Sequence, residues 1–324
     1  MKTLLQCIDQ LIENISVTDR QEESIKGSYD NLEDNLFTKE NNLHVVRVFQ
    51  SGSYYRDTII RPLDDIDLFA VLNTEKYEDE FGNLPTPQSV LTRMKNYLNS
   101  VEDYKGKVKQ DRPCVTVILS DKNFDVLPCF KNTISDYYSM PNENLTGWTL
   151  TSPIAHTTRL DEIHKNRKYK LKSLIKVIKY WNRENNKYIP SYHVEEIAMS
   201  IFDYSDFKNY EEGILKWFQN AALSINSSKL RSYDDYETVV KKINKVKTKL
   251  EDAHEKYEKD KQGDALLIWK DIFGKEFPTV DVEEAKNFGQ ALKEGTLKIG
   301  STGMISTTFG RSISPSTGHF GDEV

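Results

Sequence analysis

Apolar residues recur at helical spacing near the start of the chain. The stripe comprises Leu4, Leu5, Ile8, Leu11, Ile12 and Ile15, and steps of three and four residues place it on one side of an α-helix. We therefore predict helical structure over residues 1–40. Acidic residues interrupt the stripe and no small-residue cleavage site follows it, so a secretory signal peptide is not indicated.

Short runs rich in β-branched and aromatic residues follow this helical segment. They are bounded by Gly, Pro and Asp, which is typical of β-strands, and the predicted strands cover residues 44–50, 66–72, 115–119 and 124–127. The last two flank a polar stretch at 120–123 with the composition of a turn, which predicts a β-hairpin. A helix is predicted at residues 87–99.

The pattern becomes helical after residue 155. Predicted helices cover residues 160–184, 192–203, 210–225, 233–259 and 264–273, and the fourth is charged enough to be a solvated surface helix. From residue 300 onward, 14 of 25 residues are Gly, Ser or Thr, which predicts flexibility. We therefore divide the chain into a mixed α/β lobe (1–155), a helical lobe (156–285) and a flexible tail (286–324).

Composition excludes several classes of protein. Apolar residues make up 38% of the 324 residues and charged residues 29%, as in soluble globular proteins. No run approaches the roughly 20 apolar residues of a membrane span, so a cytoplasmic protein is expected. Cys7, Cys114 and Cys129 form no C-x₂-C pair, so neither a zinc site nor a disulfide framework is expected. A formal net charge of −6 argues against a broad nucleic-acid surface.

Two acidic residues at the start of the second predicted strand indicate a metal site. Side chains alternate along a strand, so Asp65 and Asp67 project from one face and Ile66 from the other. Neighbouring carboxylates repel each other unless a cation lies between them, and Mg²⁺ prefers carboxylate and phosphate oxygens. Asp64 has the wrong parity to share this face and is left out of the predicted site.

A third acid and a glycine-containing turn complete this candidate site. Asp125 is embedded among apolar strand residues, where a carboxylate is costly unless it is paired or metal-bound. Asp121, by contrast, lies in the predicted turn, where Asp is common for local reasons. Gly52 and Ser53 open a predicted strand-to-helix turn, whose backbone N–H groups suit a phosphate.

The helical lobe offers basic and aromatic candidates. Lys172, Lys176, Lys179 and Arg183 form one stripe along a helix, which is either a solvated face or a phosphate-binding surface. Residues 190–193 lie at the start of the next predicted helix, where the Ser191 hydroxyl and the helix N-terminus suit an anion, and Tyr192 offers a ring for stacking on a base. The alternative is an ordinary helix cap followed by a core tyrosine. His193 is expected to be structural.

These features together resemble a known superfamily. A Gly-Ser turn, then D-x-D on a strand and a distant third Asp is the pattern of polymerase-β-type nucleotidyltransferases. One branch, the bacterial cGAS/DncV-like nucleotidyltransferases (CD-NTases) of anti-phage defence, has segments similar to QSGSYYRDTIIRP, FDVLPCF, KVIKYWN, IPSYHVE and IWKDIFGKEFP, over about residues 1–280. The resemblance implies an α+β fold, with a polymerase-β-like core and mixed sheet plus a C-terminal helical lobe, joined by a long N-terminal helix.

The resemblance also implies an activity and a role for each acid. NTPs would be joined into a cyclic di- or trinucleotide with release of pyrophosphate, and the product would switch on an effector. Two Mg²⁺ ions would be required, with Mn²⁺ as an alternative. Asp65 and Asp67 would bridge both ions, and Asp125 would bind the ion that activates the attacking hydroxyl. Gly52 and Ser53 would hold the β- and γ-phosphates.

Roles for the helical lobe follow from the same resemblance. Lys179 or Lys176, together with Ser191, would contact the triphosphate, and Tyr192 would stack on a base. The chain lacks the zinc-binding thumb and basic DNA-binding surface of animal cyclic GMP-AMP synthase, so no double-stranded DNA activator is implied. A monomer is expected. The alternatives are a template-independent RNA-tailing nucleotidyltransferase and a degenerate member that only binds nucleotides.

Overall fold

The computed structural model describes residues 2–38, 42–132, 136–232, 235–259, 261–279, 291, 294–300, 305–307 and 309–312. The chain separates into two units, Ser16–Lys172 and a second that combines Met1–Ile15 with Ser173–Val324. This division differs from the predicted one, which groups the N-terminal helix with the α/β lobe and places the boundary at residue 155. Within the described ranges, no helix is both long enough and apolar enough to cross a membrane.

A mixed β-sheet forms the centre of the Ser16–Lys172 unit. Its strands are β1 (Val45–Gln50), β2 (Ile66–Leu72), β3 (Val108–Asp111), β4 (Cys114–Ile118), β5 (Asn123–Lys131), β6 (Tyr138–Pro141) and β7 (Trp148–Thr151). They run in the order β1-β2-β5-β4-β3, with β6 paired to β5 and β7 to β6. The β2–β5 pair is parallel and the other pairs are antiparallel. The predicted β4–β5 hairpin is confirmed, whereas β3, β6 and β7 were missed from the sequence.

Two helices cover one face of this sheet. The helices of the first half of the chain are α1 (Leu4–Ile15), α2 (Asp19–Phe37), α3 (Gly52–Tyr55), α4 (Pro87–Ser100) and α5 (Pro153–Asn166). Of these, α2 starts at a capping box formed by Thr18 and Gln21, and its buried side chains share one apolar core with those of α4 and with Ile66 and Leu68 of β2. Because strand side chains alternate, Asp67 lies on the opposite face of the sheet.

The second unit is mainly helical in its described part. After α1 it contains α6 (Leu171–Glu184) from Ser173 onward, α7 (Ser191–Phe202), α8 (Tyr210–Ser224), α9 (Asp235–Glu258) and α10 (Gln262–Phe273). Most of the apolar stripe of α1 is buried, with Leu4, Ile8 and Leu11 fully inaccessible to solvent, and α1 contacts α8 and α10. The predicted amphipathic helix is therefore present, and its apolar side is used within the helical unit.

Two predicted helices are each divided in the structure. The segment predicted as one helix over 160–184 consists of α5 and α6, and Lys168 and Tyr169 between them have φ values of 52° and 60°. The Tyr169 N–H donates to the His164 carbonyl at 2.9 Å, which closes the end of α5. Likewise, the helix predicted over 1–40 is divided into α1 and α2.

The predicted tail at 286–324 lies mostly outside the described residues. Where it is described, three short strands, β8 (Lys298–Ile299), β9 (Ile305–Ser306) and β10 (Arg311–Ser312), pair in the order β10-β8-β9. Both pairings are antiparallel. These pairings differ from the prediction of a flexible tail.

Candidate active site

Asp67 and Asp125 lie side by side on neighbouring strands. In the parallel β2–β5 pair, Asp67 is the register partner of Asp125, and register partners project from the same face of a sheet. The residues on either side of them, Ile66 and Leu68 in β2 and Val126 in β5, belong to the buried core on the other face. The structure therefore brings two of the three predicted acids together on one sheet face.

Asp65 precedes the strand rather than lying within it. β2 begins at Ile66, whose register partner is Phe124, so Asp65 is beside the start of β5. There its Oδ1 accepts a hydrogen bond from Nδ2 of Asn123 at 2.8 Å. Asp65 is solvent-exposed, whereas Asp67 and Asp125 are half-buried.

Asp125 is held by a buried neighbour on β4. Oγ1 of Thr116 donates a hydrogen bond of 2.6 Å to Oδ1 of Asp125, and the two residues are register partners in the hairpin. Burial raises the pKa of the Asp125 carboxyl, the hydrogen bond from Thr116 acts in the opposite direction, and the negative charge of Asp65 raises the pKa further. A cation near these acids would lower the pKa of Asp125 and so oppose the effects of burial and of Asp65.

The turn after β1 lies directly against Asp67. Gly52 has a φ of 67°, and a Cβ atom at this position would lie 1.6 Å from Oδ2 of Asp67. The preceding Ser51 N–H donates to the Asp67 carbonyl at 2.9 Å, and the N–H groups of Thr58 and Ile59 donate to the Ser53 carbonyl. Glycine is therefore required here both for its backbone conformation and for space.

The donor set suits Mg²⁺, because carboxylate oxygens are its preferred protein ligands. In the described part of the chain, no group of three His, Cys, Asp or Glu side chains lies close enough together to hold a metal ion. Asp65 is instead hydrogen-bonded to Asn123, and Asp125 to Thr116. Both partners are neutral, so the negative charge of these two carboxylates is not offset by them.

The two lysines of α6 that were predicted to contact the triphosphate are buried. Lys176 and Lys179 are only 7% and 4% exposed, so the alternative of a solvated face is wrong for these two residues. Nζ of Lys179 forms a 2.6 Å ion pair with the fully buried Glu195. Lys172 is paired differently, with Asp161 at 2.7 Å.

At the start of α7, Tyr192 is exposed and the next residue, His193, is buried. α7 begins at Ser191, and Tyr192 is 48% exposed, so the alternative that it is a core residue is wrong. Nζ of Lys229 lies 5.9 Å from the Tyr192 ring centroid. His193 is buried, and its two ring nitrogens contact the Glu196 carboxylate at 2.9 Å and the Asn226 N–H at 3.0 Å, which accounts for a structural role.

Three polar residues near the acids were not predicted from the sequence. They are Thr116, Asn123 and Lys109, which is the register partner of Thr116 on β3. Lys109 forms an ion pair with Asp111 at 3.0 Å; this interaction raises the Lys109 pKa, with smaller contributions from Asp65 and Asp125. The alternation of β4 could have indicated Thr116, since it is a polar residue between the apolar Val115 and Val117.

Comparison with known proteins decides the family. A family model described as Second Messenger Oligonucleotide or Dinucleotide Synthetase domain (SMODS) matches residues 1–164. The chain belongs to this family of CD-NTases. It is thus a nucleotidyltransferase, as the sequence motifs predicted.

Relatives of this CD-NTase include two bacterial synthases. The chain is 28% identical over 271 residues to a probable cyclic nucleotide synthase of Bacillus cereus (strain VD146), covering 70% of this chain and 81% of that protein. It is 26% identical over 264 residues to the cyclic AMP-AMP-AMP synthase of Acinetobacter sp. (strain ATCC 27244 / 9458), covering 72% of this chain and 73% of that protein.

A solved structure confirms the fold. CdnC of Escherichia coli MS115-1, solved with ATP, superposes with a TM-score of 0.67 at 16% identity, covering 85% of this chain and 99% of that chain. At this identity the similarity establishes the fold alone. The predicted α+β class, with a polymerase-β-like core, a mixed sheet and a helical C-terminal region, is confirmed.

Proposed function

We propose that this CD-NTase joins NTPs, in a Mg²⁺-dependent reaction, into a cyclic di- or trinucleotide second messenger for anti-phage defence. The observation that carries the proposal is the register of Asp67 with Asp125 on adjacent parallel strands, with Asp65 beside the start of β5. Three carboxylates near the starts of two central strands are the ligand set that two-metal phosphoryl transfer requires.

Each acid has a defined part in this proposal. Asp65 and Asp67 would hold both Mg²⁺ ions, and Asp125 would hold the ion nearer the attacking ribose hydroxyl. Bound ions would lower the pKa of that hydroxyl and neutralise charge on the triphosphate. In the protein itself, Oδ1 of Asp125 accepts a hydrogen bond from Thr116, and Oδ1 of Asp65 accepts one from Asn123.

Phosphate binding is assigned to the turn after β1. Gly52 lacks a side chain, which lets its backbone lie against the Asp67 carboxylate, and the backbone N–H groups of this turn would bind a phosphate beside the acids. Ser53 follows at the start of α3, and its hydroxyl would bond the β- or γ-phosphate.

In the helical unit, Ser191 and Tyr192 would contact triphosphate and base, respectively. The exposure of Tyr192 supports stacking. Lys179 or Lys176 would also contact the triphosphate. Both lysines are buried, and Lys179 is ion-paired with Glu195. A Lys179 contact would require that pair to open.

Cyclisation is favoured over RNA tailing by the named activities of the relatives. The Acinetobacter protein is a cyclic AMP-AMP-AMP synthase and the Bacillus cereus protein a probable cyclic nucleotide synthase. A tailing enzyme would also need a basic surface for RNA, and the net charge of this chain is −6. We further propose NTPs as substrates, a monomeric enzyme, and a separate effector that senses the product.

One assay tests the proposal. The purified chain is incubated with four labelled NTPs and Mg²⁺, and the mixture is then treated with phosphatase. Small phosphatase-resistant products support cyclisation, and their loss on chelation of Mg²⁺ supports the metal requirement. A ladder of lengthening products would instead show polymerisation, and unchanged NTPs under all conditions would favour a nucleotide-binding protein.

A further inference from the structure

A row of four side chains crosses the sheet on the face that carries the acids. Asp67 on β2 is the register partner of Asp125 on β5, Asp125 is the partner of Thr116 on β4, and Thr116 is the partner of Lys109 on β3. Register partners share a face, so all four project to the same side. Thr116 is the neutral member next to the acids.

The side chain of Thr116 is buried and has less conformational freedom than a surface threonine. It is 2% exposed, its neighbours Val115 and Val117 are fully buried in the opposite core, and a β-branched side chain on a strand has few χ1 rotamers. Its Oγ1 donates to Oδ1 of Asp125 at 2.6 Å. A rigid donor at this distance sets the direction in which the Asp125 carboxylate points.

We propose that Thr116 is a positioning residue for Asp125, which it holds by its hydroxyl in the orientation that binds a divalent cation. This inference rests on the proposed function, since Asp125 is assigned there as a metal ligand. Residues that hydrogen-bond to a metal-ligating side chain hold it in place, and their loss typically lowers metal affinity or activity by about 10- to 100-fold. Thr116 never contacts the substrate in this proposal.

The electrostatics of the site agree with this role. Asp125 is half-buried and lies near the negative Asp65, and both effects disfavour its charged form. A hydroxyl that donates to the carboxylate favours that form. A valine at position 116 would keep the shape of the side chain but remove the donor from a half-buried carboxylate.

The test compares Thr116→Val with Thr116→Ser and with Thr157→Val. Thr157 is a matched control, because its hydroxyl donates to the Pro153 carbonyl within α5 and not to an acid. For each variant, Mn²⁺ is titrated in the presence of a non-hydrolysable NTP analogue and its affinity measured by electron paramagnetic resonance. Turnover at saturating NTP, KM for NTP and melting temperature are measured in parallel.

We expect Thr116→Val to weaken Mn²⁺ binding by about 10- to 100-fold and to lower kcat, with KM for NTP little changed. Thr116→Ser should restore both quantities, and Thr157→Val should leave both near the wild-type values. If Thr116→Val does not fold, Thr116→Ala removes the same donor without adding bulk and replaces it in the comparison.

Two results would overturn the proposal. One is a Thr116→Val enzyme with wild-type Mn²⁺ affinity and kcat. The other is equal loss in Thr116→Val and Thr116→Ser together with a lowered melting temperature, which would show that the residue serves packing. Failure of the proposed function would appear differently, as a wild-type chain that binds Mn²⁺ and NTP but forms no cyclic product.

Discussion

Three aspartates occur within four consecutive positions, and their surroundings distinguish them. Asp67 lies in β2, in register with Asp125. Asp65 lies one residue before the strand and is bonded to Asn123. Asp64 also lies outside the strand, one residue farther from β2 than Asp65. At the residue scale, the register with Asp125 therefore distinguishes Asp67, and the hydrogen bond from Asn123 distinguishes Asp65.

Neutralising Asp67 is expected to abolish product formation. Asp67→Asn removes one charge from a site proposed to hold two cations, so a loss in kcat of about 10²-fold or more is expected, with little change in melting temperature. Asp64→Asn is the matched control and should retain most activity. Product formation from labelled NTPs measures both. Near-wild-type turnover in Asp67→Asn would remove this residue from the metal site.

A second residue-scale prediction concerns Tyr192. Stacking on a base is worth roughly 1–3 kcal/mol, so Tyr192→Ala should weaken NTP binding by about 5- to 150-fold. Tyr192→Phe should bind normally, because stacking uses the ring and not the hydroxyl. The residue is 48% exposed, so neither variant should have a much lower melting temperature than the wild type. Equilibrium binding of a fluorescent NTP analogue decides, and unchanged affinity in Tyr192→Ala would contradict stacking.

At the scale of elements, the turn between β1 and α3 joins phosphate binding to the acids. The turn is bonded to β2 through the Ser51 N–H and the Asp67 carbonyl. Gly52 adopts a left-handed conformation with its Cα against the Asp67 carboxylate. The sequence motif Gly-Ser thus depends on a strand that follows more than ten residues later.

Gly52→Ala is expected to damage this turn. The added methyl would fall 1.6 Å from Oδ2 of Asp67, and a positive φ costs an L-residue roughly 1–2 kcal/mol. We expect product formation to fall at least as far as in Asp67→Asn, and the melting temperature to decrease. Gly27→Ala is the control, since a Cβ there meets nothing within 4 Å, and helix propensity predicts stabilisation by about 0.5–1 kcal/mol. An active, stable Gly52→Ala enzyme would refute the close approach.

At the scale of the whole molecule, the N-terminal helix stabilises the helical unit. Leu11 of α1 is fully buried, and α1 contacts α8 and α10. Leu11→Ala should therefore cost about 2–5 kcal/mol of unfolding free energy, as large-to-small core substitutions do, whereas Asp9→Ala on the exposed side should cost little. Urea unfolding gives both values.

Hydrogen exchange on the Leu11→Ala protein then tests the division into units. Amides of α8 and α10 should lose protection more than those of β2 and β5, because α1 packs within the helical unit. The opposite order would place α1 with the sheet, as predicted from the sequence.

Local patterns in the sequence determined most elements of this protein. The strand at 66–72 was predicted with its observed bounds, because alternation and flanking turn residues are properties of neighbouring positions. The same alternation predicted a common side for Asp65 and Asp67, and the motif around Asp125 indicated the third acid. Family resemblance added the fold, which the structural comparison confirmed.

Tertiary structure alone decided which residues face each other. The turn predicted at 120–123 would have placed Ile118 opposite Asp125, whereas the hairpin pairs Ile118 with Asn123 and therefore Thr116 with Asp125. A one-residue shift of a turn changes every cross-strand partner by two residues. The partners of Asp65, Asp67 and Lys179, and the placement of α1 in the helical unit, depend likewise on contacts between segments far apart in the chain. Hydrophobic periodicity shows that a face is buried, but it does not specify the surface that buries it.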